Sequence, residues 1–156
     1  MADDTYIVER SETIDAPPER IYDQIVNFHN WTRWSPWEDV DPELQRSYSG
    51  AESGAGAIYG WSGNRKAGQG RMTITDVTEP SKVQIVVDFE KPWKARNDAV
   101  FSIQPEGSRS RVTWTMTGKK TLMTKAMGIF KSMDAMVGPD FEKGLTRLKA
   151  VSETSG

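Results

Sequence analysis

The sequence predicts an α+β fold in which a curved sheet of seven antiparallel strands wraps around one long C-terminal helix. The apolar residues between Thr121 and Val151 recur at steps of three or four, which in a helix places them on one face. Seven segments with the residue types of strands precede this helix, and the short turns between consecutive strands are typical of an antiparallel meander. A length of 156 residues is enough for one core, so we expect a single domain over residues 1–156.

The first elements are a strand and a short helix. Charged and apolar residues alternate from Tyr6 to Ile14, which predicts a strand at or near a sheet edge. Pro17 and Pro18 then mark the start of a helix expected from about Pro18 to Asn27, with Ile21 and Ile25 on its buried side.

Three tryptophans follow at steps of three. A short second helix brings Trp31 and Trp34 together, and Pro36 ends it before Trp37. These rings either fill the junction between the helices and the sheet or line the mouth of a pocket. His29, the only histidine, is interpreted as a cap or surface residue rather than as a catalyst.

Six further strands are predicted from alternating residues and from the turns between them. They are Leu44–Ser49, Ala55–Ser62, Gln69–Val77, Lys82–Phe89, Ala95–Gln104 and Arg109–Gly118. Pro105 to Ser108 is expected to form a turn. The final helix should kink or divide at Gly138-Pro139, and Ser152 to Gly156 should fray.

Composition and spacing exclude several kinds of site. The chain has 20 Lys and Arg, 22 Asp and Glu and a formal charge of −2, which argues against an extended nucleic-acid surface. It lacks cysteine, and the carboxylates from Glu38 to Glu43 lack calcium-loop spacing, so no metal site and no cofactor are expected. Gly63 and Gly68 lack the Lys of a phosphate loop. An acidic start without an apolar run predicts a cytoplasmic protein with no secretory signal.

Several short stretches together resemble the START-like, SRPBCC superfamily, in its bacterial polyketide cyclase/dehydrase branch. They are Ile14-Asp15-Ala16-Pro17, Trp31-x-x-Trp34-x-Pro36-Trp37, Trp61-Ser62-Gly63-Asn64, Gly68-x-Gly70-x-Met72-x-Ile74, Phe89-x-Lys91-Pro92, Val112-Thr113-Trp114 and Asp140-Phe141-Glu142-Lys143-Gly144-Leu145. The resemblance implies the helix-grip fold and a deep hydrophobic cavity that binds lipids, sterols or polyketides. Some members catalyse cyclisation or dehydration, but the branch shares no catalytic motif that assigns an acid or base here.

The residue types support such a cavity, since methionine adapts to varied apolar partners. The predicted ligand-binding residues are Trp34, Trp37, Tyr59, Trp61, Met72, Phe89, Asn97, Phe101, Trp114, Met123, Met127, Phe130, Met133 and Phe141. Tyr59, Asn97 and Thr115 are the candidate polar groups of the cavity. Ordinary core packing is the competing interpretation for each of these residues.

Three functions remain open at this point. Binding of an apolar small molecule, by a monomer or a homodimer, is favoured because it needs only a cavity. A cyclase or dehydratase would need a proton-transfer group with a pKa near neutrality, such as Tyr59 or a buried carboxylate. Association with a membrane surface through the basic amphipathic stretch from Lys119 to Lys131 is the least favoured.

Overall fold

One curved sheet of seven antiparallel strands dominates the fold. The computed structural model describes residues 5–37, 41–64, 68–91, 94–119 and 133–154. The strands are β1 (Thr5–Ile14), β2 (Gln45–Gly50), β3 (Ala57–Ser62), β4 (Gln69–Thr78), β5 (Lys82–Lys91), β6 (Ala95–Glu106) and β7 (Arg109–Lys119). Every predicted strand is present with its ends within two residues of those expected.

The strand order is β1-β7-β6-β5-β4-β3-β2, so β2 to β7 form a meander and β1 returns to pair with β7. This confirms the predicted meander and the edge position of β1. The predicted turn from Pro105 to Ser108 is shorter than expected, because Pro105 lies in β6 and pairs with Ser110. Gly107 takes a positive φ of 67°, which lets two residues complete the turn.

The inner face of the sheet is identified by Trp114, whose ring contacts Phe141 of the C-terminal helix. Strand register places one residue from each of six strands in a transverse row on this face, here called the Tyr6–Tyr59 row. Its members are Tyr6, Gly118, Asn97, Val87, Met72 and Tyr59. The row two residues away contains Val8, Met116, Ala99, Ile85 and Ile74, all of them buried.

Two short helices cover one end of this face. Helix α1 (Pro18–Val26) begins at a proline, as predicted, and buries Ile21, Tyr22 and Ile25. A 3-10 helix (Phe28–Arg33) follows, and the Asn27 side chain caps it by accepting a 3.0 Å hydrogen bond from the amide of His29.

The C-terminal helix α2 (Met133–Thr154) packs on β1 and also contacts α1 and the 3-10 helix. Phe141, Leu145 and Leu148 form its buried face. The sheet and this helix together make the helix-grip arrangement that the resemblance implies.

The structure departs from two expectations for α2. The helix is continuous through Gly138 and Pro139, so it does not divide there, and a kink at this point stays a prediction. Fraying was also predicted from Ser152 onward, but Ser152 is fully buried and Arg20 donates to its carbonyl oxygen at 3.3 Å. Tertiary contacts hold this last turn where the polar sequence alone favours fraying.

Candidate functional site

Four of the predicted ligand-binding residues form one packed group, here called the ring cluster: Trp34, Phe101, Trp114 and Phe141. The Trp114 ring stacks on Phe141 with centroids 4.0 Å apart and on Phe101 at 4.7 Å, while Trp34 meets both Trp114 and Phe101 edge-on. None is more than 3% exposed. The ring cluster therefore fills this end of the inner face with the protein's own side chains.

Hydrogen bonds fix the tryptophans that complete this packing. Trp34 Nε1 donates to the carbonyl of Gln24 at 3.0 Å, and Trp31 Nε1 donates to Ile25 at 2.7 Å. The two rings lie 4.5 Å apart, which confirms that the short helix brings them together. Trp37 contacts Trp114 edge-on at 5.8 Å but remains 37% exposed, so it lies at the border of the ring cluster.

The other predicted residues on the inner face lie beyond the Tyr6–Tyr59 row or within it. Trp61 contacts Tyr59 at 6.3 Å and Phe89 at 5.7 Å. Its ring also covers Gly70, where an added Cβ would lie 2.7 Å from the indole. Trp61, Phe89 and Met72 are only partly buried, in contrast to the ring cluster. We call this region, formed by the Tyr6–Tyr59 row with Trp61, Gly70 and Phe89, the open end.

A polar pair lies in the open end. Tyr6 Oη donates a 2.9 Å hydrogen bond to Asn97 Oδ1, and the two side chains meet over Gly118. Asn97 is 4% exposed. Burial raises the pKa of the Tyr6 phenol and the bond to Asn97 partly offsets this, so the phenol is neutral at pH 7.

Sequence reasoning selected Asn97 but missed Tyr6. Alternation with the buried Val8 places Tyr6 on the inner face, which was the available signal. Nothing in the sequence specifies that residues 91 positions apart meet across β7.

The prediction that Thr115 is a polar group of the cavity was wrong. It alternates with Trp114 and Met116 and therefore lies on the outer face, where its hydroxyl donates to Glu9 Oε2 at 2.8 Å. Met123, Met127 and Phe130 lie outside the described residues. Met133 begins α2, but its side chain also lies outside the description.

A surface cleft of about 150 Å³ lies beside the 3-10 helix, lined by residues of that helix and of the β2–β3 hairpin. His29 stacks on Tyr48 there with ring centroids 3.8 Å apart. Both Phe28 and Tyr48 of its lining also contact Tyr59. The cleft therefore adjoins the residue at the β3 side of the open end.

Groups for proton transfer need a pKa near the working pH. Burial moves the pKa of Tyr6 and of Tyr22 upward, away from neutrality. It also raises the pKa of the Asp140 carboxyl, with Lys143 opposing the shift. Asp140 adjoins Phe141 in the chain and so lies near the ring cluster rather than at the polar pair.

The described residues hold no group of three or more His, Asp or Glu side chains placed to bind a metal ion. A separate search for membrane spans finds that no helix within the described part of the chain combines the required length and hydropathy.

Comparison with known proteins gave a family and several structural neighbours. The profile of the family described as polyketide cyclase / dehydrase and lipid transport matches residues 5–153. The comparison with curated proteins found no match.

Three solved structures illustrate the structural likeness. A Thermobifida fusca protein solved by NMR has a TM-score of 0.70 at 18% identity, covering 94% of this chain and 92% of its own. The Aha1 dimer from Colwellia psychrerythraea gives 0.67 at 17%, covering 97% and 99%. Ginseng major latex-like protein 151 from Panax ginseng gives 0.67 at 12%, covering 95% and 97%. At these identities the likeness shows the fold alone.

Proposed function

Because this chain belongs to the polyketide cyclase / dehydrase and lipid transport family, we propose that it binds an apolar small molecule at the open end of its inner face. Family and fold support hydrophobic-ligand binding or cyclase-type function in general. The ligand class that we propose is a lipid, a polyketide or an aromatic compound.

The contrast between the two ends of one apolar face supports this proposal. Trp34, Phe101, Trp114 and Phe141 are buried against one another, whereas Trp61, Met72 and Phe89 keep part of their apolar surface exposed. Exposed apolar surface on a concave face is where an apolar ligand gains most from leaving water. Met123, Met127, Phe130 and Met133, predicted for the same site, remain a prediction.

Binding is favoured over cyclase or dehydratase activity. Such an enzyme needs a proton-transfer group near the ligand, but of the two phenols at the open end that of Tyr6 has its pKa raised away from neutrality by burial. Tyr6 therefore serves better as a neutral hydrogen-bonding group than as a base.

Two further expectations complete the proposal. The membrane-surface alternative depends on residues 119–131, which lie almost wholly outside the described residues, and it stays the least favoured prediction. We infer a monomer or a homodimer acting in the cytoplasm; a structural neighbour, the Aha1 protein of Colwellia psychrerythraea, was solved as a dimer.

Adjacent residues of β4 provide the test. Met72 lies on the inner face in the Tyr6–Tyr59 row, and Thr73 points to the opposite face. N-phenyl-1-naphthylamine, a neutral aromatic probe, should bind the wild-type chain with saturable fluorescence. A charge introduced at an apolar contact has to be desolvated, so Met72→Lys should weaken binding by roughly tenfold or more. Thr73→Lys should leave binding unchanged.

Two outcomes would contradict the proposal: no saturable binding by the wild type, or equal binding by both lysine variants. Mass spectrometry of gently purified protein provides an independent measurement, and a co-purified lipid or aromatic compound is the expected result.

A further inference from the structure

We propose that Tyr6 and Asn97 form the polar anchor of the open end and select apolar ligands that carry a neutral hydrogen-bond acceptor, such as a ketone, ester or amide carbonyl. This inference rests on the proposed function and specifies the ligand class of that site.

The hydrogen bond within the pair leaves a donor for a ligand. Asn97 Oδ1 is engaged by the Tyr6 hydroxyl at 2.9 Å, which leaves the two N–H groups of Asn97 Nδ2. Among the described residues no acceptor is recorded for this nitrogen. The opposite orientation of the amide would engage one N–H and free the Tyr6 hydroxyl as a donor. Either arrangement presents an N–H or O–H group to an acceptor.

The surroundings of the pair indicate that the acceptor is neutral. The other described members of the Tyr6–Tyr59 row are Gly118, Val87, Met72 and Tyr59, so the row contains no Lys, Arg or His to balance a carboxylate. A carboxylate brought to this row would lose its hydration without gaining an ion pair from any of the row's own described residues, which is costly. A carbonyl oxygen needs only the available donor.

The row also sets the approximate size of the ligand. Met72 lies two strands from Asn97, which corresponds to about 10 Å at the usual strand spacing. Trp61 and Phe89 lie beyond the row at its β3 and β5 positions. A planar molecule of about three fused rings therefore reaches from the donor to the aromatic side chains of the open end.

Fluorenone and fluorene are a suitable probe pair, because they have nearly the same shape and differ in one carbonyl group. Tryptophan quenching should show that wild-type protein binds fluorenone roughly five- to tenfold more tightly than fluorene, as expected for one hydrogen bond. Asn97→Leu, which keeps the side-chain size, should remove this preference, so that the two probes bind the variant with similar affinity. Tyr6→Phe removes only the hydroxyl that orients the amide, and it should reduce the preference.

The outer-face variant Thr115→Val is the control, since it removes a hydroxyl bonded to Glu9 and should keep the wild-type preference. Thermal melts establish that each variant is folded, and Tyr6→Phe keeps the test decisive if Asn97→Leu does not fold.

Equal affinity of the wild type for both probes would overturn the anchor but leave the proposed function intact. A preference that persists in both variants would also overturn it. Failure to bind either fluorene or N-phenyl-1-naphthylamine would instead count against the proposed function itself.

Discussion

Gly118 shows how a missing side chain organises the open end. A Cβ at this position would collide with Asn97 Oδ1 and lie 2.7 Å from Tyr6 Oη. Alanine in a strand normally gains about 0.5–1 kcal/mol over glycine. Overpacking costs about 1–3 kcal/mol, and here the collision also breaks the bond between Tyr6 and Asn97. We therefore expect Gly118→Ala to lower the free energy of unfolding, as measured by urea denaturation.

The double variant Gly118→Ala/Asn97→Ala tests the cause of that loss. Truncating Asn97 removes the colliding atom, so adding Gly118→Ala to Asn97→Ala should destabilise the protein less than adding it to the wild type. Equal effects in the two backgrounds would show that the close approach to Asn97 is not the reason.

The Tyr6–Asn97 pair also marks a limit of sequence reasoning at the residue scale. Alternation along β1 and β6 assigns both residues to the inner face, as it does for Trp114 and Phe101. The pairing itself depends on the register of β1 and β6 against β7. Patterns of neighbouring residues in the sequence carry no information on that register. Thr115 is a different case, because its hydroxyl suits a cavity but alternation with Trp114 and Met116 places it on the outer face.

At the scale of elements, the end of α2 is held by one carboxylate. Glu153 Oε2 accepts from the amide of Asp15 at 2.8 Å and from Lys149 Nζ at 2.7 Å. Lys149 also donates to the carbonyl of Thr13 at 3.2 Å. These contacts join the last turn of α2 to the end of β1 and the residue after it. They explain why the helix extends to Thr154.

This arrangement makes the stability of the protein depend on pH. The bond from Lys149 and then that from the Asp15 amide lower the pKa of the Glu153 carboxyl below its ordinary value of 4.5. A lowered folded-state pKa gives stability that is present above pH 4.5 and is lost as the pH falls through the folded-state pKa. We expect Glu153→Gln to melt below the wild type at pH 7, with the difference in Tm shrinking below pH 4.5.

Circular dichroism melts between pH 7 and pH 3 provide the measurement. Glu106→Gln removes a carboxylate at the exposed end of β6 and controls for the loss of one charge. A wild-type advantage over Glu153→Gln that stays constant over this pH range would refute the role of Glu153.

At this scale, an element can be predicted from the sequence when the residues that determine it are close together in the chain. Alternation of the buried Val83, Ile85 and Val87 with less buried neighbours sets β5, and the spacing of Trp31 and Trp34 sets the 3-10 helix. The end of α2 was mispredicted because its stabilising partners belong to β1 and α1. Of the two outcomes predicted at Pro139, division of α2 does not occur, since proline disfavours helix locally but tertiary packing overrides such preferences.

At the scale of the whole molecule, one apolar face carries two environments. The sequence predicts the face as a whole, because inward and outward residues alternate along β5 to β7. Its division depends on what covers each end: among the described residues, Trp34 and Phe141 bring their rings to the ring cluster, and Phe28 of the 3-10 helix reaches the open end only at Tyr59. The register irregularity between Gly70 and Gln69 falls in the open end, where β5 has the extra residue Glu90 opposite β4.

This division predicts that replacing a phenylalanine by alanine mainly lowers stability in the ring cluster and mainly lowers ligand affinity in the open end. Phe101 lies fully buried in the ring cluster, so Phe101→Ala should cost about 3–5 kcal/mol of unfolding free energy. Phe89 is only partly buried in the open end, so Phe89→Ala should cost less, about 1–2 kcal/mol.

Phe89→Ala should nevertheless weaken binding of N-phenyl-1-naphthylamine, because it removes apolar surface that the probe covers. Phe101→Ala should keep near wild-type affinity in its folded fraction. Urea denaturation and probe titration of the same samples measure both quantities, and two variants that lose stability and affinity in equal proportion would show that the inner face is not divided in this way.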